Sequence, residues 1–272
     1  MRRAHRSLRA LAAAPLCALA ACGLVFTVVE VDLVADLMPG RAGQGPSAGL
    51  VLGADHLGRS VGLRLAVAAG ISAGPALLAA VVGLGLGLPL GAAAGWWADA
   101  RGRAAVALTD ALGAVPAVVY ALLFALIFGD QPRWIGCGVG IGGGAALARA
   151  LRARIEELRA VNFVEASLLH GVPAARVLLH HLLWTGCRRL LAQHAVELAV
   201  GAVLVEAALS YIGGFGVQEP LPSWGNMIAS GFGQPRGQAL AWAAPALCLL
   251  TLGAGGAALS TTFGQPPRAA DD

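Results

Sequence analysis

The chain has 272 residues, 57% of them hydrophobic and 12% charged, with a mean hydropathy of +0.72. A soluble domain of this size carries roughly a quarter charged residues, so the composition points to a polytopic membrane protein. The net charge is +4 and all nineteen basic residues are Arg. They sit beside apolar runs, which argues against a nucleic-acid partner, and without Lys the chain cannot build a phosphate-binding loop of the GxxxxGK[ST] type.

In chain order, residues 1–10 carry Arg2, Arg3, Arg6 and Arg9 and read as a cytoplasmic N-terminus. Residues 11–29 are uncharged and apolar, close to the ~20 residues a bilayer-crossing helix needs. Leu19-Ala20-Ala21-Cys22 fits a lipoprotein cleavage box, but the apolar run continues through Cys22 to Val29, and a first transmembrane helix is the reading taken. Residues 30–65 form an extracytoplasmic loop, broken by Pro39-Gly40 and Gly45-Pro46. The remaining spans are expected at 66–95, 104–129 (with Pro116 inside), 134–148, 190–212 and 239–260, followed by a cytoplasmic tail, 261–272. The fold class is therefore all-α, a membrane bundle of about six transmembrane helices. Cys17, Cys22, Cys137, Cys187 and Cys248 are scattered through apolar runs and read as small buried hydrophobes, without metal or disulfide spacing.

Residues 149–187 differ from everything around them. Arg149, Arg152, Arg154, Arg159 and Arg176 alternate with Glu156, Glu157 and Glu165, while Ile155, Leu158, Val161, Val164 and Leu168 recur at three- and four-residue steps. That period predicts an amphipathic helix. Gly171 suits its C-terminus, and Pro173 can open a second helix. Arg counting orients the chain: with the N-terminus inside, cytoplasmic pieces hold fourteen Arg and outer pieces five, so the 149–187 loop is cytoplasmic.

Gly83, Gly87, Gly91 and Gly95 fall on one helix face, as do Gly136, Gly140 and Gly144; small residues at this spacing let helices approach closely in lipid. Three other patterns carry no function. Gly138–Gly143 matches GxGxxG without a preceding strand, and Gly70–Gly74 matches GxSxG at the head of a membrane helix. His180 and His181 diverge by about 100° on a helix and cannot share one metal face. Asp110, His194, Glu197 and Glu206 are ionisable groups in or near spans, where charge is costly and usually faces a bundle interior or wet cavity. Glu206, Glu197 and Asp110 are the candidates for lining a translocation path; the alternatives are a hydrogen bond between helices or, for Asp110, an interfacial position.

Several blocks, taken together and in order, resemble one family. Glu165-Ala166-Ser167, three residues and Gly171 resemble the "EAA, three residues, G" loop of the permease subunits of bacterial binding-protein-dependent ABC importers. Gly53-Ala54-Asp55-His56-Leu57-Gly58-Arg59 is similar to that family's "GTDxLGRD", Asp110 with Pro116 to "VDxLLAFP", Glu206–Gly213 to "EASLSFLG", and Pro222–Met227 matches "PSWGNM". The resemblance covers roughly residues 50–230 and points to the dipeptide, oligopeptide and nickel branch. It departs at Ser60 (Asp in the family), Ser167 (Ala), Trp184 (where the loop ends in "LP") and the extra glycine of Gly213–Gly216.

The resemblance implies a type I importer permease in the bacterial inner membrane, itself non-catalytic and without cofactor or metal. Its partners would be a second permease subunit, forming a heterodimer, two ATPase subunits or domains, and an extracytoplasmic substrate-binding protein. Val161, Val164, Glu165, Ala166, Ser167, Leu168 and Gly171 would couple it to the ATPase. The other reading is a self-contained proton-coupled secondary transporter using Asp110 or Glu206; it needs no large cytoplasmic loop and would often show two similar halves, which the sequence lacks. "DHLGR" leans toward nickel and "PSWGNM" toward peptides. Reporter fusions test the topology: one after Arg154 should report cytoplasm and one after Gln218 the outside, and an extracytoplasmic signal at Arg154 would overturn the six-span arrangement.

Overall fold

The computed structural model describes residues 13–23, 37–129, 131–234 and 239–264. The N-terminal segment 1–10, residues 11, 12 and 24–29 of the expected first span, residues 30–36 of the loop and the tail beyond 264 lie outside the described residues. Helix α1 is Ala13–Gly23. It is followed by α2 (Val61–Trp96), α3 (Ala100–Gly113), α4 (Ala117–Phe128), α5 (Pro132–Arg159), α6 (Asn162–Leu169), α7 (Ala174–Arg176, running on as wide π-type turns over Val177–Gly186), α8 (Arg188–Ile212), α9 (Trp224–Phe232) and α10 (Ala239–Gly264). Among the described residues there is no strand, only two isolated bridges in the loop before α2. The architecture is an all-α bundle in which α2, α5, α8 and α10 are long and apolar enough to cross a membrane, and α3 with α4 could make a fifth crossing as a bent pair.

Three of the expected spans depart most from their sequence-derived bounds, each for a local reason. The 104–129 span is not one helix: it breaks before Pro116, and α3 and α4 meet at 74°. Proline lacks the N–H that would continue the ladder and pushes its predecessor out of the α region. Tyr120 bridges the break, its hydroxyl donating to the Leu112 carbonyl at 3.0 Å. Helix α2 starts at Val61 and not at residue 66, because Ser60 caps it by accepting from the Leu63 N–H at 3.3 Å. Ser and Asp are near-equal N-caps, so the departure from the family's Asp at this position preserves the capping chemistry. Finally, α5 does not stop at Ala148 but runs on for eleven residues into the charged segment.

That extension follows from packing. At 36 and 28 residues, α2 and α5 are about 54 and 42 Å long, well beyond a hydrocarbon core of about 30 Å. They lie against each other from Pro75 and Gly136 to Gly95 and Ile155. A Cβ on Gly87 would meet the Gly144 carbonyl at 2.6 Å and Leu147 Cβ at 2.9 Å, one on Gly91 would meet the Ala148 carbonyl at 2.7 Å and Leu151 Cβ at 2.8 Å, and one on Gly95 would meet Ile155 Cβ at 2.9 Å. Leu147, Leu151 and Ile155 are fully buried at four-residue steps. The ridge of side chains on α5 fills the glycine groove of α2 and carries α5 past the last apolar residue of its span.

This seam gives a matched pair of variants. Gly87 has no room for a side chain, whereas a Cβ on Gly85, two residues away, meets nothing within 4 Å. Overpacking a filled contact costs about 1–3 kcal/mol. Gly87→Leu should lower the melting temperature of the detergent-solubilised chain and its level in membranes, while Gly85→Leu leaves both unchanged; equal behaviour of the two would exclude the seam.

Candidate functional site

The charged segment of the sequence folds as the end of α5, then α6, then a turn into α7. Helix α6 is anchored by Val164, which is only 4% exposed and packs in a cluster with Leu151, Ile155, Leu178, Leu182 and Leu183. Phe163 adds an edge-on ring contact to His181 at 6.0 Å. The helix ends in a Schellman motif: the Gly171 N–H donates to the Leu168 carbonyl at 3.0 Å and the Val172 N–H to the Ser167 carbonyl at 3.1 Å. Gly171 takes φ +81° to close it, the conformation in which a side chain is penalised.

The expected apolar face of this helix needs one correction. Val164, expected with Val161 and Leu168 to meet the ATPase, faces inward and belongs to the chain's own core. The apolar side chains left exposed around it are Val161, Phe163, Leu168 and Leu169, with Leu169 81% exposed. Helical periodicity identified the apolar positions; it could not tell which of them this chain would cover itself. Glu165, Ala166 and Gly171 are exposed and Ser167 half-buried, the Ser167 hydroxyl donating back to the Phe163 carbonyl at 2.7 Å.

Arg159, at the last turn of α5, ties this region to α2. Its guanidinium donates to the Gly95 and Trp96 carbonyls at 2.9 and 2.7 Å and lies over the Trp96 ring at 5.2 Å. These are C-terminal carbonyls of α2 that have no helical partner, and a cation there also favours the helix dipole. Sequence reading counted Arg159 only as topological charge.

At the opposite end of the bundle, two blocks remote in sequence meet. Asp55 accepts the Leu57 and Arg59 N–H groups at 2.9 and 3.0 Å and pairs with the Arg59 guanidinium at 2.7 Å. Arg59 and Arg64 both reach Glu219, at 2.7 and 2.8 Å. Burial alone would push the Arg59 guanidinium down, but its bonds and charge contacts to Glu219 and Asp55 outweigh that and hold it above its ordinary value. Arg64 was placed in the outer loop by charge counting; it lies inside α2 and is 2% exposed. Its carboxylate partners, 155 positions apart for Glu219, make that burial possible. Ser223 and Asn226 form a capping box that starts α9, and Trp224 Nε1 donates to the Leu65 carbonyl at 3.2 Å. The motif around Pro222–Met227 is thus the segment that docks on the start of α2.

The three ionisable candidates separate. Glu206 has no exposed surface and accepts from Ser72 of α2 at 3.0 Å and Ser210 of α8 at 2.7 Å. Ser210 in turn accepts the Val217 N–H at 2.9 Å. Glu197 joins α8 to α10 through Ser260 and accepts from Gln193 at 3.0 Å. Asp110 is exposed and borders a cleft of about 540 Å³ with Arg103, Arg152 and Arg159. The structure does not gather the three into one site. Among the described residues no three His, Cys, Asp or Glu side chains form a metal-holding group.

The sequence profile of the family described as binding-protein-dependent transport system inner membrane component matches residues 83–265. The chain belongs to this family. Among curated proteins it is similar to a probable peptide ABC transporter permease protein, y4tQ, of Sinorhizobium fredii, with 36% identity over 69% of this chain and 63% of the relative. It is 31% identical to the oligopeptide transport system permease protein OppC of Haemophilus influenzae over 46% of this chain and 40% of that one. With the dipeptide transport system permease protein DppC of Alkalihalophilus pseudofirmus the figures are 26%, 72% and 64%. The chain thus spans less than two thirds of the length of these relatives.

As an inner-membrane component with several helices of membrane length, the protein is a multi-pass protein of the bacterial cytoplasmic membrane. Within this family member, Glu206 reads as a junction between α2 and α8. Glu206→Ala would leave the Ser72 and Ser210 hydroxyls without their acceptor, at about 1–3 kcal/mol for each buried group. The Ala variant should melt lower than wild type in detergent, and Glu206→Gln, which keeps an acceptor oxygen, should recover most of the loss. A stable Ala variant would remove the junction role.

Proposed function

We propose that this protein is the permease subunit of a binding-protein-dependent ABC importer, and that α6 is the element through which a separate ATPase drives it. The observation that carries the coupling role is the set of exposed apolar side chains on and beside α6, a helix that Val164 anchors to the core. Burying an exposed Leu or Val side chain contributes roughly 1.5–3 kcal/mol, so Val161, Phe163, Leu168 and Leu169 favour a partner surface. Val164, the Gly171 turn and Arg159 hold the helix against α5, α7 and the end of α2. Glu165 and Ala166 lie on the exposed side, available to the same contact. The subunit itself performs no ATP chemistry on this reading. It works beside a second permease, as a heterodimer, with two ATPase subunits or domains and an extracytoplasmic binding protein.

Peptides are the proposed substrate class, because the relatives named above are described as peptide, oligopeptide and dipeptide permeases; nothing comparable supports nickel. A role for Glu206 in the path is not proposed, since its carboxylate is enclosed within the chain. The same enclosure gives a proton-coupled secondary transporter no water-accessible site at Glu206.

Two variants test the coupling. Gly171→Val forces a side chain into φ +81°, at roughly 1–2 kcal/mol, and should misplace α6; Leu169→Glu puts charge on its outer face without touching the core. Membranes carrying either should contain normal amounts of the permease but retain less ATPase, or hydrolyse ATP without importing peptide. Wild-type recruitment and transport in both would end the coupling assignment.

A further inference from the structure

The chain from α7 to the start of α8 leaves one strip of its surface uncovered. Val177, Leu178, Leu182 and Leu183 turn inward and pack in the cluster that holds Leu151 and Ile155 of α5. The exposed residues recur in pairs at four- and five-residue steps: Ala175 and Arg176, Leu179 and His180, Trp184 and Thr185. A regular α-helix, at about 100° per residue, would set Leu179 and Trp184 about 140° apart. The wide turns over Val177–Gly186 close their rings at i→i+5, and the Thr185 hydroxyl repeats that step by donating to the His180 carbonyl at 2.9 Å. The three pairs thereby share one side of the helix, with Leu179 61% and Trp184 71% exposed.

We propose that this strip is a membrane-surface contact for anionic phospholipid, in which Leu179 and Trp184 enter the boundary between headgroups and acyl chains and Arg176 and Arg188 receive lipid phosphates. Three observations select that occupant. The first is level. A Cβ on Gly186 would meet Leu158 Cδ1 at 2.6 Å, and the next residue of α5, Arg159, stacks on Trp96. The segment then passes through Cys187 into α8, a helix of membrane length. Trp184 therefore stands close to the level of Trp96 and Trp97, and tryptophans gather where a membrane meets water. The second is charge. No Asp or Glu occurs between Glu165 and Glu197. Arg176 and Arg188 are exposed and make no ion pair among the described residues. Arginines beside a span suit an anionic leaflet, and the planar guanidinium fork suits a phosphate. The third is direction. His181 is the side chain turned toward α6, its ring edge-on to Phe163 at 6.0 Å. Leu179, two residues earlier, lies on the far side of the helix from that contact. The inference requires this segment to lie at a membrane surface and does not depend on α6 meeting an ATPase. Trp184 is also a position at which the sequence departs from the family's loop, so the contact belongs to this chain.

The test places the full-length chain in nanodiscs of phosphatidylcholine with a minority of phosphatidylglycerol, the same mole fraction of one lipid or of the other carrying brominated acyl chains. Bromine quenches tryptophan at contact, and the difference between wild type and Trp184→Phe isolates the Trp184 signal. Brominated phosphatidylglycerol should quench it about fivefold more than brominated phosphatidylcholine. Arg176→Gln with Arg188→Gln should remove that preference, and Arg176→Lys with Arg188→Lys should keep most of it, both at unchanged melting temperature. Trp184 unquenched by either lipid, equal quenching by the two in the wild type, or a preference that survives the double Gln change overturns the proposal. A photo-crosslinker at position 179 in membranes separates the occupants: a lipid adduct supports the assignment, and an adduct with a second polypeptide overturns it.

Discussion

In a bilayer the space between two helices is no more apolar than the lipid around them, so helices gain little from burying hydrocarbon against each other and must associate by close contact. The seam between α2 and α5 meets that constraint. Gly83, Gly87, Gly91 and Gly95 remove every side chain from one face of α2, and the α5 backbone at Gly140, Gly144 and Ala148 comes up against it. Helices α4 and α8 attach to this pair, and α10 packs on α8 and α9. Gly138 and Gly142 on another face of α5 admit Ala121 and Ala117 of α4, and Leu198 of α8 fills the notch at Gly83 and Gly143. Replacing the glycines would move not one contact but the frame on which the broken span and α8 are hung.

Because the two central helices outrun the bilayer, their ends are where polar chemistry accumulates. At one end Arg159 satisfies the free carbonyls of α2 and stacks on Trp96. At the other, Asp55, Arg59, Arg64 and Glu219 hold the loop before α2 to the loop after α8. Arg64 is tolerable inside a helix only because two carboxylates lie within reach, and Glu219, 43% exposed at its side chain, leaves the network open to water on one side. Such a half-open network costs less desolvation than a sealed one. The bundle is thus tied above and below by ions and glued in the middle by glycine. On the proposed reading, a displacement of α6 reaches α5 through Val164 and α2 through Arg159, which move together because the seam has no slack.

Much of this was legible in the sequence. Hydropathy identified a membrane bundle, the four-residue glycine series identified the packing faces, and Gly171 marked a helix end, but the amphipathic helix expected from the period of Ile155 to Leu168 is broken at extended Val161 into the end of α5 and the separate α6. Each of these is a local property: a residue's own polarity, its own φ, or a repeat along one helix. The family followed because several short blocks occurred in order, and no one of them required knowledge of what it touched.

What tertiary structure decided depends on partners remote in sequence. Arg64 reads as loop until Glu219 is seen beside it. Val164 reads as docking surface until Leu178 and Leu182 cover it. The 134–148 span reads as finished at Arg149, because charge marks the end of lipid but not the end of the groove that Leu151 and Ile155 still fill. Glu206 reads equally as channel lining or as a bond between helices, and only Ser72, 134 positions away, distinguishes them. Burial of a charge or an apolar face is a property of two surfaces, and one-dimensional pattern supplies only one of them.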